Sequence, residues 1–338
     1  MKKIAFVGNF QFNCGSSNTL LGYVKAGREL GYDIQASEFG YIDDAIRTAV
    51  PVAGKDWKAD LLVIVYESYP FLSETDIDLI CKIVPRKNRI LIDPDGKYLK
   101  PIYCGADTNH PAADSYGFWT SLYDSLSDVI LQPFLGSDFL YFGIDSQVSD
   151  LSRLNKNFDL IYVGNNWYRW NDMSALITAV SPIRTKLKRI ALIGRYWSGD
   201  QMQGFENATG SDPDFLKKNH VEVYKSAPYG QVEKTMSRGK MHPILIRPIL
   251  NEMGFVTPRM FETFAADTVP LIPNYFRRAN ELYGDEVFHL TVSQDPAAKI
   301  LEILENYPKY RDISLKIAKK LRRKHSYEVR IRQLLDLV

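Results

Sequence analysis

The chain has 338 residues, 45% of them hydrophobic and 24% charged, which suits a soluble globular protein of two domains. A formal net charge of +2 is close to balance, so any nucleic-acid binding would have to rest on a local patch. Cys14, Cys81 and Cys104 are odd in number, widely spaced and without a CxxC, which speaks against a disulfide framework or a zinc site and for a reducing cytoplasm.

The N-terminus, "MKKIAFVGNF", carries too short an apolar run for a signal peptide and reads as a first strand, "IAFVG" (4–8). The following loop, "GNFQFNCGSSNTLLGY" (8–23), has Gly8, Gly15 and a cap at Ser16 or Ser17 but lacks GxGxxG spacing, so a dinucleotide site is not indicated. A helix is expected over 17–31, then strands at "DIQASEF" (33–39) and "LLVIVYE" (61–67), a helix over 74–84, and strands at "RILID" (89–93) and "DVILQPF" (128–134). The aromatic stretch "SYGFWTSLY" (115–123) reads as a helix packing its apolar face. The polar stretch "DSQVSDLSRLNKN" (145–157) is the best linker.

The second half repeats the alternation, with strands at "DLIYVGN" (159–165), "RIALIGR" (189–195), "VEVYKSA" (221–227), "HPILIRP" (242–248), "VPLIP" (269–273) and "VFHLTV" (287–292). Short apolar strands alternating with helices imply parallel sheets with crossover helices, here in two doubly wound α/β domains. The tail, "LKIAKKLRRKHSYEVRIRQLLDL" (315–337), places Ile317 with Leu321, and Ile331 with Leu334 or Leu335, at helical spacing. It reads as two amphipathic helices with solvated basic faces. No segment reaches the roughly 18 apolar residues of a membrane helix.

In such sheets ligands collect beyond the C-terminal strand ends, so residues that directly follow a strand are the ones to weigh. In "VGNNWYRWND" (163–172), Gly164 and Asn165 form a small-residue turn where backbone N–H groups and a helix start near Asn171 or Asp172 can approach a phosphate. An ordinary strand-to-helix turn would have the same sequence. In "TPRMFETFAADTVPLIP" (257–273), Thr257 is a good N-cap and Pro258 suits the first helical position. That puts Arg259 at the positive end of the helix, at a cost of about 0.3–1 kcal/mol, with Glu262 on the same face. An external anion would resolve the conflict: Arg259 matches a diphosphate and Glu262 can accept from a ribose diol. An internal Arg–Glu pair is the plainer alternative. Arg195 ends a strand, and Tyr229 lies in a loop where it could stack on a nucleobase; taken singly, each also fits a surface role.

In "RILIDPDGKY" (89–98), Asp93 follows an apolar strand and is expected at the rim, partly shielded from water, where it could act as a general base. An Asp-Pro turn that merely ends the strand is the alternative. Glu67 and His110 are weaker candidates for the same role. Asp93-Pro94-Asp95 resembles the DxD of metal-dependent glycosyltransferases, but that motif belongs to a different, single-domain fold. His220, His242, His289 and His325 lack metal-ligand spacing and read as packing or surface residues.

"FVTPRMFETFAADTVPLIP" (255–273), followed by "HSYEVRIRQLL" (325–335), resembles the donor-binding domain of group 1 glycosyltransferases of the CgeB-like kind, which have the GT-B fold. The first of these segments is also similar to the corresponding part of the phage DNA β-glucosyltransferase. The resemblance covers roughly residues 158–338. It implies two Rossmann-like domains facing a cleft: 1–150 on the acceptor side, 151–318 binding the nucleotide-sugar, and 319–338 as a C-terminal helix that packs back on the first. It further implies a UDP-sugar donor with Arg259 on the diphosphate, Glu262 on the ribose and Asp93 as base. The arginines that family carries at the first turn of the second domain are represented only by Arg169. Two glutamates seven residues apart, common in retaining enzymes, are absent, since Glu252 lies ten positions before Glu262. The expectation is therefore an inverting glycosyltransferase with no required cofactor or metal, acting on an acceptor that is a small molecule, a glycan or modified DNA. The rival readings are a DNA glucosyltransferase acting on hydroxymethylated bases, a nucleotide-sugar epimerase, and a catalytically idle GT-B module.

Overall fold

The structure is a computed structural model that describes residues 2–10, 14–39, 42–66, 72–94, 96, 124–148, 151, 154–292 and 294–338. Glu67, Asp95, His110 and the 115–123 stretch lie outside the described residues. The chain divides into two compact units. The first comprises Met1–Ser146, Glu252–Pro258 and Arg322–Val338; the second comprises Gln147–Asn251 and Arg259–Leu321.

In the first unit β1 (Lys3–Gly8), β2 (Asp33–Ser37), β3 (Val52–Ala53), β4 (Leu61–Val65), β5 (Arg89–Ile92) and β6 (Val129–Leu131) form one parallel sheet in the order β3-β2-β1-β4-β5-β6. The five expected strands are all present. β3 is only two residues long, too short to leave a pattern in the sequence. β1, β4 and β5 are apolar without alternation because helices cover both faces of a parallel sheet. Ala5, Val7, Leu62, Ile64 and Leu91 pack with Ile80 and Val84. Helix α2 (Glu74–Ile83), which carries Ile80, starts at a Ser73 cap that accepts from the Asp76 N–H, with Asp76 reaching back in a capping box.

The other face carries α1 (Gly15–Glu29), whose Tyr23 packs on Phe6 with ring centroids 4.9 Å apart. Over α1 lies the chain's last helix, α7 (Tyr327–Asp336). A Cβ on Gly22 would come within 2.2 Å of the Tyr327 ring, so glycine is what lets the two helices close. The Ile144 N–H donates to the His325 carbonyl at 3.1 Å, tying the start of α7 to the end of this unit's first stretch.

The tail departs from its expected form at one residue. Ile331 and Leu334 are buried as the spacing predicts, but Arg330 is 1% exposed rather than solvated. It donates to the Phe142 carbonyl, to Gln333 Oε1 at 2.9 Å, and meets His325 Nδ1 at 2.6 Å. His325 thus accepts as a neutral imidazole, and burial first, then the charges of Arg330 and Lys324, push it down to about 3. A histidine depressed in the folded state adds stability that is complete above its unfolded value near 6.5 and is lost as pH falls toward the folded one. The melting temperature of the native protein is therefore expected to fall more steeply between pH 7 and 5 than that of His325→Gln, whose amide oxygen can still accept from Arg330. Parallel melting curves for the two would exclude this source of acid sensitivity.

In the second unit β7 (Phe158–Val163), β8 (Ile190–Ile193), β9 (Val221–Tyr224), β10 (Gly239–Pro243), β11 (Val269–Pro273) and β12 (Thr291–Val292) form a second parallel sheet in the order β12-β11-β10-β7-β8-β9. Two strands differ from expectation. β10 starts at Gly239 and ends at Pro243; the buried run Ile244–Ile246 continues past it, where the Ile244 N–H still donates to the Leu271 carbonyl of β11. The polar start of β10 hides it in the sequence, because Lys240 is neutralised by Asp159 at 2.8 Å. Most of "VFHLTV" forms a 3₁₀ turn, Asp285–Leu290, that buries Val287 and Leu290 at three-residue spacing and leaves Phe288 exposed.

Beyond the sheet, α3 (Trp170–Val180), α4 (Arg259–Ala265), α5 (Pro296–Glu305) and α6 (Tyr307–His325) are the elements used below, and Arg322–His325 of α6 belong to the first unit. Among the described residues no helix is long and apolar enough to cross a membrane.

Candidate functional site

β7 and β10 are central neighbours in the second sheet; β8 and β9 extend to one side of them, β11 and β12 to the other. In a doubly wound sheet this reversal opens a crevice at the C-terminal strand ends, the usual place for a ligand. Gly164 follows β7 directly, and its absent side chain leaves room for Arg259: a Cβ there would lie 3.1 Å from both the Arg259 Nη2 and the Tyr162 hydroxyl. The two segments singled out in the sequence, 95 positions apart at Gly164 and Arg259, are therefore in contact.

Arg259 opens α4, one residue later than the sequence suggests, and α4 has only seven residues. So short a helix contributes little dipole, and the case for an anion here rests on the guanidinium itself. Arg259 Nη1 lies 2.8 Å from Glu262 Oε2 with both side chains largely shielded, yet neither atom makes a geometrically sound hydrogen bond. The pair is an ion contact with bonding capacity to spare on both partners. Thr257 falls in the first unit, two residues before Arg259.

Arg169 lies just before α3 and donates to the Trp167 carbonyl at 2.9 Å. Burial lowers its affinity for the proton, and Arg247 adds repulsion, while Tyr162 and Asp172 oppose both. Arg247 stands over the Tyr168 ring, 5.8 Å from its centroid. Asp172 accepts from the Tyr275 hydroxyl at 3.0 Å and is raised above the usual carboxylate range, chiefly by burial. Cations thus outnumber carboxylates around the β7 turn, as an anionic ligand requires.

The turn is held from the β8 side. The Arg195 N–H donates to Asn165 Oδ1 at 2.9 Å, and the Trp197 indole donates to the Gly164 carbonyl at 2.8 Å. Asn166, fully buried, donates to the carbonyls of Tyr196, Thr209 and Gly210. A Cβ on Gly194 would come within 2.2 Å of the Gly164 carbonyl oxygen, so backbone meets backbone there. Tyr168 and Tyr196 have positive φ, 55° and 65°, uncommon for side chains of this size. Such strain persists only where its surroundings enforce it, and here it flanks the candidate site.

The Arg195 side chain is exposed at the end of β8, and Tyr229 lies in the loop after β9, two strands along the sheet from β7. Gly164, Asn165, Arg169, Arg259 and Glu262 are brought together, and the Arg195 N–H joins them through Asn165. Sequence reasoning missed Tyr162, His242 and Arg247. Arg247 follows an apolar run and carries the same signal that marked Arg195. Tyr162 lies within a strand and had no signal.

Asp93, in the first unit, is 0% exposed, whereas the sequence placed it at a half-shielded rim. Its N–H continues the ladder to the Leu131 carbonyl of β6 at 2.8 Å, so a neighbouring strand still flanks it. Gln132 Nε2 donates to its Oδ2 at 2.8 Å. Among the described residues no cluster of His, Cys, Asp or Glu has the arrangement of a metal site.

Residues 174–336 match the glycosyl transferase-like family. No curated protein matches the chain in sequence. Among solved structures, the chain is similar to an alpha-glucosyltransferase in complex with UDP-glucose and DNA containing an abasic site, with a TM-score of 0.66 at 10% identity over 100% of this chain and 99% of that one. It is similar also to HepE of Anabaena in complex with UDP-glucose, with a TM-score of 0.55 at 12% identity over 99% of both chains. AviGT4, a glycosyltransferase involved in avilamycin A biosynthesis, gives 0.53 at 12% identity over 100% and 99%. At such identities the structures speak for the fold, two parallel six-stranded sheets of GT-B type, while the family match speaks for the second half of the sequence. Together they give the chain the GT-B fold and its second half, residues 174–336, a likeness to the glycosyl transferase-like family.

Proposed function

We propose that the protein transfers a sugar from a UDP-sugar to an acceptor hydroxyl, with the donor held by the second unit. The observation that carries this reading is the meeting of Arg259 and Glu262 with the Gly164 turn at the sheet's reversal point. In it the Arg259 fork receives the diphosphate, supported by Arg169 and by the backbone after Gly164, and Glu262 accepts from the ribose diol. As the sugar departs, negative charge grows on the diphosphate, and a fixed guanidinium stabilises it more than it stabilises the ground state. With that charge met by arginine, no metal is required.

Asp93 is the proposed base, taking the acceptor proton as the oxygen attacks the anomeric carbon, which inverts the configuration. A β-linked product from an α-linked donor supports this role; an α-linked product overturns it. The acceptor is a hydroxyl of a small molecule, a glycan or a hydroxymethylated base, and a cytoplasmic setting fits the sequence.

The donor assignment is tested by melting the protein with UDP-, GDP-, dTDP- and CDP-sugars, with and without EDTA, and repeating the panel on Arg259→Ala and Glu262→Ala. A ligand at a hundred times its Kd stabilises by about 2.7 kcal/mol, roughly an 8 °C rise for a unit of this size. UDP-sugars are expected to give that rise regardless of EDTA, and both variants to lose it. No shift with any nucleotide would overturn the donor site.

A further inference from the structure

His242 was set aside in the sequence as a packing residue, and it is indeed fully buried. Its polar contacts nonetheless run in one direction. The paired register of β10 with β7 reaches Met241 opposite Leu160, and beyond it the Val163 N–H at the end of β7 donates to His242 Nε2 at 3.2 Å. A ring nitrogen that accepts carries no proton, so the neutral ring bears its hydrogen on Nδ1. Nδ1 lies 3.4 Å from the Thr263 hydroxyl. That hydroxyl in turn donates to the Arg259 carbonyl at 2.8 Å, which leaves its lone pairs to the imidazole. The ring also lies face to face with Tyr162, centroids 5.3 Å apart, and Tyr162 borders the space at Gly164 that Arg259 occupies.

Burial, and then the charge of Arg259, hold His242 far below the usual histidine range, against a smaller upward pull from the backbone carbonyls of His242 and Pro243. Both favour the neutral imidazole that the Val163 N–H contact with Nε2 already requires. What it supplies is a fixed path of hydrogen bonds from the end of β7 to the first turn of α4.

We propose that His242 is a positioning residue, which acts through Thr263 to hold Arg259 against the Gly164 turn in the orientation that receives a diphosphate. The proposal rests on the reading of Arg259 as the diphosphate ligand. It assigns a purpose to a buried histidine and a buried threonine, neither of which reaches the ligand.

The test measures UDP and uridine binding by calorimetry for the native protein, Thr263→Val, Thr263→Ser, Arg259→Ala and Arg259→Ala/Thr263→Val. Valine conserves the shape of threonine and removes the hydroxyl, so the test does not depend on whether a His242 variant folds. Thr263→Val is expected to weaken UDP binding roughly tenfold, the equivalent of one lost hydrogen bond, with uridine binding unchanged and Thr263→Ser restoring UDP binding. In the Arg259→Ala background it should add nothing further, since the group being positioned is gone. If Arg259→Ala weakens UDP binding but Thr263→Val does not, or Thr263→Val weakens uridine equally, the positioning role is overturned while the diphosphate reading stands. If Arg259→Ala leaves UDP binding unchanged, the diphosphate reading itself falls.

Discussion

Arg259→Ala is expected to lower UDP affinity by roughly a hundredfold while leaving uridine affinity within a factor of about two. Charge-assisted hydrogen bonds to phosphate contribute about 1.5–3 kcal/mol each, and the forked guanidinium at the Gly164 turn can make two. Removing it does more than delete a ligand contact. Glu262, with 11% of its side chain exposed, would keep a shielded negative charge beside the incoming diphosphate and without its 2.8 Å partner. The free protein should therefore lose about 1–2 kcal/mol of stability, less than for a fully buried pair because water still reaches both groups. Arg259→Lys separates the two effects, retaining the charge but not the fork, and should fall between native and alanine in affinity while recovering most of the stability. Calorimetry on the three proteins decides the matter. A UDP affinity that survives in Arg259→Ala would reduce the Arg259–Glu262 pair to an internal tie within α4.

The second large effect is expected on turnover. Asp93→Asn should reduce kcat by roughly a thousandfold, within the range typical for loss of a general base, with UDP affinity and melting temperature unchanged. The variant is well matched to its surroundings, since the asparagine oxygen can still accept from Gln132 Nε2, which now donates to Asp93 Oδ2 at 2.8 Å. Asp93→Ala, by contrast, removes the acceptor of the half-buried Gln132 amide and leaves a cavity in a fully buried position, and should cost about 1 kcal/mol in stability. The comparison separates the two readings of this carboxylate. If Asp93→Asn keeps native turnover and only Asp93→Ala is unstable, then Asp93 is a structural acceptor at the end of β5, and the base lies elsewhere.

The sheets were legible because parallel strands covered on both faces appear as uninterrupted apolar runs, "IAFVG", "LLVIVYE" and "RILID" in the first half and "DLIYVGN" and "RIALIGR" in the second. β3 was not, being two residues long, and β10 was displaced because its polar "GKMH" start is hidden by the Lys240–Asp159 pair. At the candidate site, the rule that ligands gather past strand ends picked out Gly164, and the arginine at the positive end of a helix picked out Arg259 with Glu262; the fold does bring the three together. It could not reveal the path from Val163 through His242 to Thr263. Those residues are separated by 79 and 21 positions, and a buried histidine in a strand resembles any other packed side chain until the partners of its nitrogens are seen. Nor could periodicity reveal that Arg330, on the basic tail, is buried against the Phe142 carbonyl.

The first unit is assembled from three stretches, of which Glu252–Pro258 and Arg322–Val338 come from late in the chain. Phe255 is 1% exposed and forms a bridge with Phe134, while Tyr327 fills the notch at Gly22. During synthesis these surfaces of the early stretch wait uncovered until residues 252–258 and 322–338 have left the ribosome. At about 5–20 residues per second that delay is on the order of tens of seconds, so the half of the protein that is translated first is the last to be completed. A fragment ending near Ser146 would remain permanently at that stage, presenting Tyr23 and Phe134 to solvent and to other incomplete chains.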